Sequence, residues 1–285
     1  MKEISSKLNG EGLNTSEGEL IWNDCTLLPI NKKKIEKFNL PLEDFSNEKY
    51  DTESGEELEQ VFLLLSTPRS GSTAVCDYLF KSAGFITHEY FQKYQHMPYL
   101  ASRWGAVSNG KLDAKAYFQS LLKFRVRKDA ILGVNLHGGH IGIFSYFEKY
   151  FICDYLPKTV LVLRRRNKIE QAVSYFLASK TERWSTYFDA KGSIPKYSFM
   201  GIKSKLLSIM SQETMMDSYL AEKPFLYQTI FYEDLIKRPE YLKPELSEKI
   251  KIDAIDISQS RTSKQADSVN QNYVERFEKE LGLIN

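Results

Sequence analysis

Short apolar runs alternate along the chain with longer segments of helical periodicity. Runs rich in branched side chains predict buried strands at residues 61–65, 131–136, 159–163 and 225–231. Apolar residues at helical spacing predict helices at residues 74–83, 141–151, 168–180, 202–220 and 269–281. Strands that alternate with helices are typical of a parallel sheet. The predicted fold class is therefore α/β, with a mostly parallel sheet flanked by helices on both faces.

The first 55 residues lack this alternation. Residues 1–18 are polar, and residues 51–59 are acidic. We therefore predict an N-terminal extension over residues 1–55, partly ordered or packed on the rest, and a main domain over residues 56–285. A hydrophobic content of 42% is enough for a substantial core in a chain of 285 residues.

The segment after the first predicted strand has the composition of an anion-binding loop. It reads L-S-T-P-R-S-G-S-T and ends at Thr73, where a helix is predicted to begin. Gly71 lets the backbone approach an anion closely, and Arg69 supplies a cation. The hydroxyls of Ser70, Ser72 and Thr73 add donors, and the positive end of the helix points to the same place. The arrangement predicts a phosphate-binding, P-loop-like strand, loop and helix.

The loop departs from the P-loop of nucleoside triphosphate enzymes, which reads G-x-x-x-x-G-K-[ST]. Ser66 stands where that motif has its first glycine, and Ser72 stands where it has lysine. A kinase needs the lysine on the terminal phosphates and a metal ion beside it. A phosphorylated ligand is therefore expected, and an ATP-dependent P-loop kinase is the less favoured alternative.

A second cationic turn follows the third predicted strand. Arg164, Arg165 and Arg166 stand together there, and the next predicted helix carries Ser174. The guanidinium fork suits phosphate, although such a turn taken alone is equally typical of solvated surface. Two cationic turns at the ends of neighbouring strands predict a ligand with two separate phosphate-like groups.

These motifs resemble those of the trehalose 2-sulfotransferase-like family of bacterial carbohydrate sulfotransferases. T-P-R-S-G-S-T is similar to the loop that holds the 5′-phosphosulfate in sulfotransferases, and R-R-R-N-K-I-E-Q-A-V-S-Y-F is similar to their 3′-phosphate element. In that element an arginine precedes a serine by eight positions, as Arg166 precedes Ser174. Near the C-terminus, the K-Q-A-D that begins at Lys264 resembles the family's R-Q-A-D. The likeness extends from about residue 61 to residue 277.

The resemblance implies a sulfotransferase domain over residues 56–285. The implied donor is 3′-phosphoadenosine 5′-phosphosulfate (PAPS), and the implied acceptor is a hydroxyl of a sugar, a glycolipid or another small molecule. Arg69 would also stabilise the charge that develops on the leaving phosphate. The residues that the resemblance assigns to the donor are Arg69, Ser70, Gly71, Ser72, Thr73, Arg165, Arg166, Ser174, Arg261 and Lys264.

The proton of the acceptor hydroxyl needs a base near the first loop. The family's proposed base is a glutamate in an E-[FY]-F-Q stretch, which this chain matches at Glu89. His88 is the alternative, because an imidazole titrates near neutrality. Adjacent residues of an extended segment point to opposite sides, so only one of the two is expected to face the loop. The third interpretation is that both are ordinary loop residues.

His137 and His140 follow the second predicted strand in the pattern H-x-x-H. The sequence offers no third ligand nearby, so we predict no metal ion and interpret this segment as an acceptor-side loop. The family resemblance expects a lysine where Asn135 stands and a tryptophan near Gly138. Both departures affect the expected acceptor and leave the donor motifs intact. A non-catalytic protein that keeps the nucleotide fold to bind a partner is the remaining alternative.

Charge and cysteine content limit the classes of binding partner and the cellular location that we expect. A net charge of +2 is too close to balance to indicate a general nucleic-acid-binding surface. Cys25, Cys76 and Cys153 are widely spaced, which favours reduced thiols and, with a polar N-terminus, a cytoplasmic location. No apolar run approaches the length of a membrane span. The oligomeric state stays open between a monomer and a homodimer.

Overall fold

The structure is a computed structural model that describes residues 30, 35, 40–53, 57–152, 157–185, 187, 193–261 and 268–284. Lys264, Cys25, Cys153 and most of the residues before position 40 lie outside the described residues. The strands of the described part are β1 (Gln60–Ser66), β2 (Val107–Ser108), β3 (Lys111–Leu112), β4 (Ile131–His137), β5 (Lys158–Arg164), β6 (Leu226–Phe231), β7 (Glu240–Tyr241) and β8 (Ala254–Ile255).

Four of these strands form the central sheet, in the order β4–β1–β5–β6, and all of them run parallel. Every residue of β1 and β4 is buried, because these neighbouring strands are covered on both faces. The four predicted strands and the parallel sheet are thus confirmed. The carboxyl ends of β4, β1 and β5 lie side by side, and the last residue of β1, Ser66, pairs with His137 at the end of β4. Loops that leave these three strands therefore meet at one edge of the sheet.

Helices cover both faces of the sheet. They are α1 (Ser72–Ala83), α2 (His96–Arg103), α3 (Ala114–Arg125), α4 (Ile141–Phe147), α5 (Lys168–Thr181), α6 (Phe199–Glu222), α7 (Tyr232–Leu235), α8 (Pro244–Ile250) and α9 (Ser268–Glu280). Val61, Leu63 and Leu65 of β1 pack with α2, α3 and α4, whereas Phe62 and Leu64 pack with α1 and α8 on the other face. This alternation confirms the predicted α/β architecture. Among the described residues, none of the helices has the length and hydrophobicity needed to cross a membrane.

The helices differ from the predicted pattern in two places. Neither α2 nor α3 was predicted; α2 has Pro98 in its first turn and no side-chain cap at Gln95, so its local signals are weak. The predicted helix over residues 141–151 is divided, because α4 ends at Phe147 and a wider π-helical turn spans Glu148–Ile152. A third apolar cluster joins α5, α6 and α9 beside the sheet.

Residues 40–53 pack on the main domain. The side chains of Phe45 and Tyr50 are buried in the same core as α1. Arg125 at the end of α3 donates to the carbonyl of Tyr50 at 2.8 Å and to that of Phe45 at 3.1 Å. These contacts hold the segment against α1 and α3, where it lies next to His88.

Candidate active site

The loop between β1 and α1 has the backbone of an anion cradle. Gly71 (φ 96°) and Arg69 (φ 64°) are both left-handed, and Gly71 caps α1 without a side-chain hydrogen bond to the helix. A backbone of this kind turns successive N–H groups toward one point. The Ser70 hydroxyl is buried and has no hydrogen-bond partner among the described residues. Because a buried hydroxyl without a partner is costly, the loop fits an anion that accepts from it.

Gln171 of α5 fixes this loop from the side. Its amide nitrogen donates to the Thr67 hydroxyl at 2.8 Å and to the Pro68 carbonyl at 2.7 Å. Gln171 is fully buried, so the contact is shielded from water. The helix after β5 therefore sets the position of the loop after β1.

Gly71 also lets the loop pack against α7. A Cβ atom at this position would lie 2.4 Å from Cδ2 and 2.8 Å from Cε2 of the Tyr232 ring. The position thus excludes a side chain for two separate reasons, the left-handed backbone and the contact with the ring.

Gly71→Ala is expected to lower the free energy of unfolding by about 3 kcal/mol, from backbone strain plus overpacking against Tyr232. Thermal unfolding measures this loss. Gly84→Ala is the matched control, because Gly84 is also left-handed (φ 68°) but nothing lies within 4 Å of its added Cβ. The control should lose only about 1 kcal/mol from backbone strain. Equal losses in the two variants would show that the tyrosine contact does not constrain the loop.

Arg69 joins the two cationic segments. Its Nε donates to the hydroxyl of Ser174 on α5 at 3.0 Å, and its Nη1 donates to the carbonyl of Trp184. Arg165 in turn donates to the Arg69 carbonyl at 3.4 Å. The loop after β1 and the turn after β5 therefore form one continuous basic surface at the edge of the sheet.

Several guanidinium groups lie close together on this surface. Burial, together with nearby Arg165 and Arg183, lowers the pKa of Arg69 to about 10, so Arg69 stays cationic at neutral pH. Arg165 is paired with Glu170 at 2.8 Å. Arg183 was not predicted, because it stands in the loop after α5, outside any anion-binding motif. Guanidinium groups held this close together are stabilised by a bound anion.

Arg166 is paired with an acidic residue of α7. Its guanidinium makes a bidentate pair with Asp234 of α7 at 2.8 and 2.5 Å, and it is half exposed. Its backbone N–H donates to the Glu233 carboxylate at 3.0 Å, which fixes the turn after β5. A phosphate that binds Arg166 therefore competes with Asp234.

Of the remaining predicted donor residues, Ser72, Thr73 and Arg261 lie on α1 or in contact with it. Ser72 is buried in the first turn of α1, where Thr73 is exposed. Arg261 is held by the buried Asp77 of α1, to which both its backbone N–H and its Nε donate. Lys264 is outside the described residues.

The segment that carries Glu89 runs along the edge of β4. The backbone N–H of Asn135 donates to the His88 carbonyl at 2.9 Å. Gly133 allows this approach, because a Cβ atom there would lie 2.7 Å from the hydroxyl of Thr87. Glu89 is thereby brought to the carboxyl end of β4.

Glu89 lies beside His137 at the carboxyl end of β4. Its Oε2 is 3.4 Å from Nδ1 of His137, the residue that pairs with the last residue of β1. Burial and the Glu89 carboxylate raise the pKa of Cys76 on α1 and of Tyr175 on α5. Burial alone would raise the pKa of Glu89, but the surrounding histidines, His137 first, lower it to about 2. Glu89 is therefore a carboxylate at neutral pH.

His88 points away from Glu89. Its Nε2 lies 2.8 Å from the Ser46 hydroxyl and 3.1 Å from Nδ1 of His96. Burial and the neighbouring His96 lower the pKa of His88 to about 4, so it is neutral at pH 7. The two candidate bases thus belong to different clusters.

One premise about the H-x-x-H segment was wrong. The sequence offers no third ligand close to His137 and His140 along the chain, yet ligand atoms of Glu89, His137 and His140 all lie within 4.8 Å of one another. The packing of the segment before Glu89 along β4 creates this cluster, and sequence spacing could not reveal it. Nε2 of His137 and Nδ1 of His140 are buried without a partner among the described residues. Polar atoms are thus available here for a ligand.

Two residues of this region differ from the pattern expected from the resemblance, and the structure shows what each of them contacts. The side chain of Asn135, where a lysine was expected, accepts from the Ser66 hydroxyl at 3.1 Å and so ties β4 to β1. Gly138 packs directly on α6, since a Cβ atom there would lie 2.3 Å from the Gln212 carbonyl oxygen. Any side chain at position 138 would therefore displace α6.

Comparison with known proteins agrees with this geometry. The family model of the Stf0 sulphotransferases matches residues 61–280, about three quarters of the chain. The match begins in β1 and includes the loop between β1 and α1, Glu89, His137, His140 and the turn after β5. No curated protein gives a significant match to the sequence. Since the match covers all four strands of the sheet and both basic segments, the chain belongs to the Stf0 sulphotransferase family.

Proposed function

We propose that the protein transfers the sulfuryl group of PAPS to a hydroxyl of a carbohydrate or another small acceptor. Membership of the Stf0 sulphotransferase family supports sulfuryl transfer as the reaction. The donor, the class of acceptor and the base are inferred from the residues at the edge of the sheet.

The observation that carries the proposal is the contact between Arg69 and Ser174. Their hydrogen bond of 3.0 Å joins the loop after β1 to the helix after β5, so one nucleotide can bridge the two. The loop, with its buried Ser70 hydroxyl and the N-terminus of α1, suits the 5′-phosphosulfate. Ser174, Arg165 and Arg166 are proposed to hold the 3′-phosphate.

Glu89 is proposed as the base. The acceptor oxygen forms its bond to sulfur while the bond from sulfur to the bridging oxygen of the 5′-phosphate breaks. The hydroxyl proton passes to the Glu89 carboxylate, and the electron pair of the broken bond stays on the leaving 3′-phosphoadenosine 5′-phosphate (PAP). Arg69 and the N-terminus of α1 stabilise the charge on that oxygen. His137, 3.4 Å from Glu89, orients the carboxylate.

Binding of PAP tests the donor assignment. Titration calorimetry should detect PAP binding to the full chain, and PAP should raise the melting temperature, because a ligand that binds only the folded state stabilises it. Mg-ATP at the same concentration should give a much smaller rise, since Ser72 stands at the position of the P-loop lysine.

Two other outcomes would count against PAPS as the donor. A larger stabilisation by Mg-ATP than by PAP would indicate a kinase, and the absence of any heat with millimolar PAP would contradict the donor assignment. Incubation with PAPS and a panel of sugars and glycolipids then separates an enzyme from a nucleotide-binding protein without activity. A sulfated product excludes the non-catalytic alternative.

A further inference from the structure

A second cluster of ligand-type atoms lies around His88. It joins Asp44 and Ser46 from the N-terminal segment with His88 and His96. Nε2 of His88 lies 3.1 Å from Nδ1 of His96, and the Asp44 Oδ1 lies 3.4 Å from the first and 4.0 Å from the second. The Ser46 hydroxyl is 2.8 and 3.1 Å from the same two nitrogens.

These separations match those of ligands around a small cation. Zinc binds imidazole nitrogen and carboxylate oxygen at about 2.0–2.2 Å in a tetrahedron, so its ligand atoms stand about 3.3–3.5 Å apart. The three separations among Asp44, His88 and His96 are centred on that value. Ser46 stands close to both nitrogens, at the remaining corner of the site.

Four atoms that can act as ligands converge in this cluster, and hydrogen bonds already link several of them. The hydroxyl of Ser46 and the two imidazole nitrogens form a triangle with sides of 2.8, 3.1 and 3.1 Å. Each proton in such a triangle can point directly at only one partner, and good hydrogen bonds are close to linear. The Asp44 Oδ1 accepts from the backbone N–H of Ser46 at 2.8 Å, and its remaining lone pair faces both imidazole nitrogens. A central cation satisfies the converging lone pairs together.

We propose that Asp44, His88 and His96 bind a structural Zn²⁺ ion, with Ser46 closing the site. Two imidazoles and a carboxylate are a ligand set that zinc accepts. Asp44, His88 and His96 are each 9% exposed and Ser46 is fully buried, as in closed structural sites. The ion clamps the N-terminal segment onto His88 in the loop before α2 and onto His96, the first residue of α2. It takes no part in the transfer, so the proposal is independent of the proposed function.

The test uses the untagged full chain, stripped of metal and then exposed to Zn²⁺ or Co²⁺. Elemental analysis after dialysis should find a single zinc ion per chain, and Co²⁺ should give the visible absorption of a tetrahedral site. At a hundredfold excess of free Zn²⁺ over its dissociation constant, the melting temperature should rise by about 5 °C.

Three variants assign the ion to this cluster. His96→Ala and the nearly isosteric Asp44→Asn should each lose the stoichiometric zinc and the rise in melting temperature. His140→Ala is the matched control, because it removes an imidazole from the neighbouring cluster of Glu89, His137 and His140. It should keep the stoichiometric zinc and the rise in melting temperature. Circular dichroism of the metal-free variants shows whether they fold. If His96→Ala does not fold, the result for Asp44→Asn decides the test.

Several results would overturn the proposal. The first is that the unmodified chain holds no stoichiometric zinc. The second is that His96→Ala and Asp44→Asn both keep the zinc affinity of the unmodified chain. The third is that only His140→Ala loses zinc. The last would place the ion at Glu89 instead. PAP binding to zinc-free Asp44→Asn is measured as well. Because the zinc site and the donor site are proposed independently, this variant should still bind PAP whether or not the unmodified chain binds zinc.

Discussion

Glu89→Gln is expected to lower kcat by about a thousandfold, within the range that a single positioned base contributes. The amide keeps the size of the side chain but cannot accept the acceptor's proton at a useful rate. Binding of PAP should persist, because Glu89 is proposed to act on the acceptor hydroxyl and not to hold the donor. Initial rates with PAPS and titration calorimetry with PAP measure the two effects separately.

Glu248→Gln serves as the chemical control, since Glu248 is an exposed glutamate of α8. It should change neither the rate nor the affinity for PAP. Two results would remove Glu89 from the mechanism: a normal rate in Glu89→Gln, or a fall in rate that follows a parallel loss of PAP affinity. The second result would assign the residue to the architecture of the donor site.

Local signals were sufficient to predict the sheet and its basic edge. Residues 61–65 form a continuous apolar run followed by Gly71 and hydroxyl residues, and the structure places a buried strand, a left-handed loop and α1 there. The turn after β5 was predicted in the same way, from Arg165 and its neighbours. Such signals work because the strand, its loop and the following helix are consecutive in sequence, so their chemistry can be read from one short window.

Contacts between distant segments decided the rest. Glu89 meets His137 because the segment before Glu89 packs along β4, and Arg166 is paired because α7 follows the neighbouring strand β6. Asp44 reaches His88 only through the folding of the N-terminal segment onto α1 and α3. None of these pairs has a characteristic spacing along the chain, so no pattern in a single sequence could predict them.

Arg69→Met should produce the second large effect, a fall in kcat of about 100- to 1,000-fold. Methionine retains the aliphatic stem but removes the guanidinium that donates to Ser174 and to the Trp184 carbonyl. Positive charge at this point is worth most when the bridging oxygen becomes an anion, so the transition state loses more than the bound donor does. The affinity for PAP should also fall, by roughly tenfold, through loss of a charge-assisted hydrogen bond.

Arg69→Lys separates charge from geometry. Lysine retains the cation but cannot make the two directed contacts of the guanidinium, so kcat should recover only in part. Arg238→Met, at an arginine whose side chain is 79% exposed, should match the unmodified chain in both measurements. If Arg69→Met raised KM for PAPS and left kcat unchanged, the residue would bind the donor equally in the ground and transition states. Stabilisation of the leaving group would then have to come from the N-terminus of α1 and the hydroxyls of its loop.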